Sequence, residues 1–343
     1  MNIPITQSKA WSKLQQEFGK KTFLKSNTDY HYLAILNHTP AGNYLYCPYG
    51  PCFDNQKGLD KALQSLKEIA SKTNSIYIRI EPQSQIFLEK SSTNIKKSKD
   101  LNPKETWLLD LTGSDEELKS KLPSRLLRYH KSAAKKGITI ETSKNTNDIK
   151  QLLKLQKALA SEKGISTFSE KYLQTELKQP FATLYLVKKY GSEEAPTDGW
   201  PSLEAPHRVQ SRGGEKGEDR ARREEVSQNN SSESIIAAGL VFDDDSTRYN
   251  LQGAQSDEGR KLHATGILTI QLILDAKKQG LKTFDFWGIA PEGAGSDHPW
   301  AGFTNFKKTF DGYEQDYAGT HDIVLKPARY KLYQILRKIR RSV

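Results

Sequence analysis

Apolar residues recur every second position in short runs that are separated by turn-forming residues, and these runs alternate with stretches of helical period. Tyr32 to Asn37 and Asn43 to Tyr46 predict a hairpin, Gly58 to Lys72 a helix and Ser75 to Glu81 a further strand. The same order returns later in the chain. Ile235 to Phe242 predicts a strand turning at Asp243-Asp244-Asp245 into a second, Thr247 to Ala254. A helix follows from Ala264 to Lys278, with Ile267, Ile270, Gln271 and Leu274 on one face and Gly280 beyond its end, and Lys282 to Trp287 closes the unit. Two copies of hairpin, helix and strand predict two similar α/β (α+β) domains with a cleft between them.

The pattern breaks in two places. Residues 192–234 lack apolar periodicity and are rich in Glu, Arg, Ser, Gly and Pro, so they are expected to form a disordered insertion between the strands Phe181 to Lys188 and Ile235 to Phe242. Between the two units lies a helical link: Ser114 with Glu117 makes a capping-box pattern, Pro123 can open a second helix, and Gly137 ends it. Leu122, Leu126, Tyr129 and Ala133 share one face. The opposite side is basic, with seven Lys or Arg and no acidic residue from Lys119 to Ile140. Arg125 and Arg128 on that side are candidate anion contacts, against the alternative of an ordinary solvated face. The expected domains are residues 1–140, 141–317 with the insertion, and a C-terminal segment 318–343 that packs back on the first domain.

Charge and cysteine content narrow the chemistry. The 343 residues carry a net charge of +11, and 192–234 holds ten acidic against six basic residues, which leaves the remainder more basic still. That balance favours a polyanionic partner, such as tRNA, nucleotide phosphates or an anionic membrane surface. Cys47 and Cys52 form no CxxC and have no His/Cys cluster nearby, which argues against zinc and redox chemistry and for buried thiols. No run reaches the roughly 18 apolar residues of a membrane span, and the first residues lack a hydrophobic signal core, so a cytoplasmic location is expected.

The densest chemistry lies in FDFWGIAPEGAGSDHPWAGFTNFKKTF, Phe284 to Phe310, where two Trp, five Phe and a His surround Lys307 and Lys308 beside Gly293-Ala294-Gly295. A hydrophobic loop covering a sheet edge would explain the aromatics but not the lysines. Asp285, Trp287, Gly288, His298, Pro299, Trp300, Gly302, Phe303, Phe306, Lys307 and Phe310 resemble the end of the FemABX family, aminoacyl-tRNA-dependent transferases that build peptidoglycan side chains and cross-bridges. Weaker similarity runs through Tyr44-Leu-Tyr-Cys-Pro-Tyr-Gly-Pro, Thr106-Trp-Leu-Leu-Asp-Leu and the Lys331-Leu-Tyr tail.

The resemblance implies two tandem GNAT-like acyltransferase domains, the first on the acceptor side. It implies transfer of an amino acid from aminoacyl-tRNA to the amine of a peptidoglycan precursor, lipid-linked or UDP-linked, without a cofactor. Lys307 then corresponds to the family's Phe-Lys dipeptide, with Phe306 before it. Asp110 aligns with a family acid near the acceptor, although an Asp at a helix start is an equal reading. Tyr249 and Arg260 follow the family pattern in YNLQGAQSDEGR, where Arg260 is either a phosphate grip or a surface arginine. Tyr46 and Gly50 lie in the corresponding turn of the first domain, and Trp287 lies in the motif itself.

Such chemistry needs placement and charge control rather than a covalent nucleophile, which fits the absence of a G-x-S-x-G elbow. A thioester-dependent N-acyltransferase is the first alternative, but no Q/R-x-x-G-x-G/A loop precedes either central helix. A non-catalytic binding module for tRNA or precursor is the second. The tail from Arg329 to Arg341 places Leu332, Ile335, Leu336 and Ile339 on one stripe. That stripe is expected to dock on the first domain, leaving the basic face for phosphate or an anionic membrane.

Overall fold

The computed structural model describes residues 1, 3–83, 88, 94–163, 167–191 and 233–342. Most of the expected insertion, 192–232, lies outside the described residues, and the following strand already begins at Ser234.

Among the described residues, two seven-stranded sheets organise the chain. The first contains β1 (Lys21–Ser26), β2 (Tyr30–Thr39), β3 (Gly42–Cys47), β4 (Cys52–Phe53), β5 (Ser75–Ile80), β6 (Ile95–Lys97) and β14 (His321–Val324). Helix α2 (Gln56–Lys72), capped by the Asn55 side chain, covers one face by burying Leu59, Leu63 and Leu66. The C-terminal helix α10 (Pro327–Ser342) covers the other through Tyr330 and Tyr333, which pack on Tyr77.

The last strand is tied in by charge as well as by packing. Buried Arg79 on β5 donates from Nε and Nη2 to the two carboxylate oxygens of buried Asp322 on β14, at 2.7 and 2.8 Å. The Tyr330 hydroxyl donates to the same carboxylate at 2.7 Å. A bidentate pair of this kind is tolerated inside a core because each charge satisfies the other, and removing one partner would leave a buried ion.

The second sheet runs β13-β7-β12-β11-β10-β9-β8. Its strands are β7 (Glu105–Asp110), β8 (Ile138–Ser143), β9 (Ala182–Lys189), β10 (Ser234–Asp243), β11 (Thr247–Gln255), β12 (Thr283–Gly288) and β13 (Tyr313–Asp316). Helix α8 (Ala264–Lys278) lies on one face with α3 (Asp115–Lys121) and α4 (Ser124–Lys131), while α5 (Ile149–Lys163) and α6 (Glu170–Leu177) cover the other. The capping box of α3 is present in both directions, Ser114 with Glu117. In both halves a hairpin, a helix and a parallel strand recur: β2/β3, α2 and β5 in the first, β10/β11, α8 and β12 in the second.

The expected boundary at residue 140 is corrected by the pairing. Strand β7 is hydrogen-bonded between β12 and β13, and Leu111, Leu118, Leu122 and Ala133 belong to the core around α8. Residues 105–140 therefore belong to the second sheet. Their apolar face had no partner on the first sheet and is buried against α8 instead. The N-terminal helix α1 (Lys9–Glu17) packs on β1 and also sends Trp11 to Phe242 and Phe181 on the second half, so it bridges the two.

Candidate active site

Strands β11 and β12 are paired in parallel only from Thr247/Thr283 to Tyr249/Asp285. Beyond that register they part, and the gap opens into a cleft of about 1340 Å³ whose walls come from both sheets. Tyr44 and Tyr46 stand on the first-sheet wall, Gln252 and Gly253 on the splayed end of β11, and Trp287 and Gly288 on β12. Helix α9 (Ala301–Lys307) closes one side with Phe303, Phe306 and Lys307. The lining is apolar over most of its area, with polar side chains such as Asn102, Glu176, Gln252 and Lys307 set among the apolar ones.

Lys307 is the cation of this wall. Its Nζ donates to the Gly288 carbonyl oxygen at 2.6 Å, which fixes the ammonium where β12 ends. Burial pushes its pKa down to about 8, and the nearby Asp285 carboxylate opposes that shift. Asp285 is buried on β12, where burial raises its pKa to about 7 while the Trp287 amide and Lys307 favour its ionised form. Its Oδ1 accepts from Trp287 N at 2.7 Å. That bond holds Trp287 at φ 67, a left-handed conformation uncommon for a bulky residue and of the kind found where a backbone is shaped for function.

The Trp287 ring is fixed edge-on against Tyr49 at 5.5 Å and Tyr249 at 6.4 Å. Gly288 allows the close approach behind it: a Cβ there would meet Pro103 at 2.5 Å and Trp300 at 3.2 Å. Helix α9 is pinned to the loop after β12 because Ala290 N donates to Thr304 Oγ1 at 2.7 Å.

On the opposite wall, buried Glu81 organises Tyr46. Its carboxylate accepts from the Tyr46 hydroxyl at 2.8 Å, Asn102 Nδ2 at 2.7 Å and Thr320 Oγ1 at 2.6 Å. Asn102 Nδ2 also donates to the Tyr46 hydroxyl oxygen at 2.8 Å, so the phenol is held from two sides at the cleft.

Of the ten candidate site residues, five meet here: Tyr46, Arg260, Trp287, Phe306 and Lys307 all line the cleft. Arg260 stands at its edge on α7 (Asp257–Lys261), within 3.5 Å of the Asp257 carboxylate. The others lie elsewhere. Asp110 pairs with Thr283 at one end of β7, whereas Gly288 pairs with Thr106 four residues away, so Asp110 lies about 13 Å along the strand from the site. Its Oδ1 accepts from Thr112 N and Oγ1, which lowers its pKa, and its role is to close the turn before α3.

Gly50 packs against the Gln7 side chain rather than into the cleft. Tyr249 is buried behind Trp287, with its hydroxyl donating to Asp244 Oδ2 at 2.7 Å, so it supports the wall without forming it. Arg125 and Arg128 are exposed on α4, and it is Leu126 between them that reaches the cleft. The Arg125 guanidinium lies 5.4 Å from the Tyr129 ring centre, and Tyr129 stacks at 4.4 Å on His263, a cleft residue, so this helix borders the opening.

Glu81 was not singled out from the sequence, and Asp285 was named there only as part of the motif. Asp285 lies within β12 between Phe284 and Phe286, and Glu81 directly follows Ile80 at the end of β5; a carboxylate set next to apolar strand residues is the signal. Among the described residues no His/Cys/Asp/Glu group is arranged to hold a metal, and no helix is long and apolar enough to cross a membrane.

Comparison with known proteins agrees with this architecture. A model of the FemAB family matches residues 207–338, which include β12, the following loop and α9. Lipid II:glycine glycyltransferase of Staphylococcus aureus (strain USA300) is 24% identical, the match covering 82% of this chain and 76% of that protein. The crystal structure of FemX superposes with a TM-score of 0.74 at 18% identity, covering 96% of this chain and 94% of that one. That of L-PGS from Bacillus licheniformis gives 0.52 at 13% identity, covering 90% and 84%. The repeated sheets and these likenesses show that the chain shares the fold of FemX.

Proposed function

We propose that the cleft transfers an amino acid from aminoacyl-tRNA to the amine of a peptidoglycan precursor, with Lys307 as the cation that stabilises the reacting centre. The observation that carries this reading is the Lys307 ammonium held on the Gly288 carbonyl where β11 and β12 part, in a cleft that both sheets wall. In such a reaction the acceptor nitrogen attacks the ester carbonyl carbon and a tetrahedral oxyanion forms. The bond to the terminal ribose oxygen of the tRNA then breaks, and the proton released from the amine is carried to that oxygen. An ammonium in a partly dehydrated wall favours the negative charge that develops, and the ester needs no further activation.

The first-sheet wall with Tyr46 is the acceptor side, and the exposed basic face of α4 at the opening takes tRNA phosphates. An ester donor is favoured over a thioester by the start of α8. Leu126 packs over Gly266, and Gln255 Oε1 accepts from Thr265 N at 3.2 Å, so the first turn is already occupied where a pyrophosphate would need free amides. The S. aureus relative is named for lipid II and glycine, and a precursor of that type is the acceptor proposed for this chain. Incubating the purified protein with charged tRNA and each precursor, and reading the mass of the product, tests the proposal. An increment of one amino-acid residue that requires charged tRNA supports it, and an increment from an acyl thioester without tRNA overturns the donor assignment.

A further inference from the structure

Helix α10 has two apolar faces, and the first sheet uses one of them. Tyr330, Tyr333 and Leu336 pack on the core around Tyr77, whereas Leu332, Ile335 and Ile339 are 47%, 48% and 56% exposed. The second set, at i, i+3 and i+7, forms a continuous stripe on the side turned away from the sheet. The expectation that this stripe docks on the first domain is therefore corrected: of its four residues only Leu336 does so, because the tyrosines fill the inward face.

Exposed basic residues border the stripe. Lys331 and Lys338 lie on one flank and Arg329 on the other by the turn of the helix, and the sequence from Pro327 to Ser342 contains no acidic residue. Three aliphatic side chains left in water on one ridge are unfavourable unless something covers them. The surrounding charge decides what that is. A second copy of the helix would bring these cations face to face, and a nucleic acid would meet the cations but leave the aliphatic ridge wet. A bilayer with anionic headgroups accepts both, the stripe entering the acyl boundary and the basic flanks resting among phosphates.

We propose that α10 seats the protein on an anionic lipid surface through Leu332, Ile335 and Ile339, with Arg329, Lys331 and Lys338 against the headgroups. The helix stays docked on the first sheet by its tyrosine face, so the whole molecule is held at the membrane rather than the tail alone. This inference does not depend on the transfer chemistry.

Flotation of the full chain with phosphatidylcholine vesicles, with and without phosphatidylglycerol, tests it. Wild-type protein is expected to float with the phosphatidylglycerol vesicles and to be released by salt. An Ile335→Glu/Ile339→Glu variant should bind roughly tenfold or more weakly, and Lys331→Gln/Lys338→Gln should lose most of the salt dependence. Thermal melts of both variants should match wild type, since the substituted side chains point away from the core. Equal flotation of wild type and Ile335→Glu/Ile339→Glu would overturn the proposal, as would wild type failing to bind anionic vesicles. A wild-type dimer that Ile335→Glu/Ile339→Glu dissociates, without vesicle binding, would assign the stripe to a second copy.

Discussion

Lys307 and Asp285 act on each other electrostatically, and the proposed role of Lys307 therefore carries a pH signature. The Lys307 ammonium is present below its pKa of about 8 and is lost above it. A Lys307→Arg variant keeps its charge throughout. The ratio of wild-type to Lys307→Arg turnover cancels the titration of the acceptor amine; it should be flat below about pH 7 and fall as pH rises through about 8. Asp285→Asn removes the carboxylate that holds the Lys307 pKa up, so the fall should move to lower pH in that background. A pH-independent ratio would mean that Lys307 is not the titrating cation.

Gly50 carries a structural prediction. A Cβ there would lie 2.5 Å from the Gln7 amide, which donates to Pro48 O at 2.6 Å and accepts from Leu33 N at 2.7 Å. Gly50→Ala should therefore cost about 1–3 kcal/mol in unfolding experiments. Unchanged stability would show that Gln7 gives way freely. At this scale the sequence was informative where a residue sat inside a dense motif, as with Trp287, Phe306 and Lys307. It was not informative for Asp110, because an acid that closes a turn and an acid that serves a site read alike until the strand register is known.

The hairpins and central helices were legible from their apolar runs and turn residues; α2 buries one face, whereas α8, running over Ala264–Lys278 as expected, is buried on nearly all sides. Strands β1 and β14 were not, since β1 is largely exposed and β14 is four residues long. Helix α4 was read correctly as basic on one side, and it buries no residue fully. Replacing Arg125, Arg128 and Lys131 together by Gln should weaken tRNA binding and flatten its salt dependence, because a phosphate that no cation neutralises keeps its condensed counterions. Thermal stability should change little, since the three side chains are exposed. An unchanged salt slope in a filter-binding assay would return the face to ordinary solvated surface.

Two sheets and a shared cleft could be inferred from the internal repeat, but the exchange of strands between halves could not. Pairing of β7 with β12 and of β14 with β5 joins residues far apart in sequence, and nothing local encodes it. The long connection between β9 and β10 adds a test of the whole architecture. Lys189 pairs with Ser234, which leaves Tyr190, Gly191 and Glu233 as a hairpin-sized loop. Deleting residues 192–232 should leave a cooperative melt and near wild-type transfer, because loop length contributes only weakly to stability. Loss of the folded state on deletion would show that the segment contributes to the core.

The central claim is that the cleft performs the transfer with Lys307 as its cation. Steady-state transfer at saturating charged tRNA, measured for Lys307→Ala and Lys308→Ala with melts as folding controls, tests it most directly. Lys308 points out of the cleft, with its ammonium 3.4 Å from Glu314 and over the Trp107 ring, so its loss should leave turnover near wild type. Lys307→Ala should lower turnover by about 10²–10³-fold, the usual effect of removing one preorganised donor from a charge-stabilising site. Near wild-type turnover in well-folded Lys307→Ala would contradict the assignment.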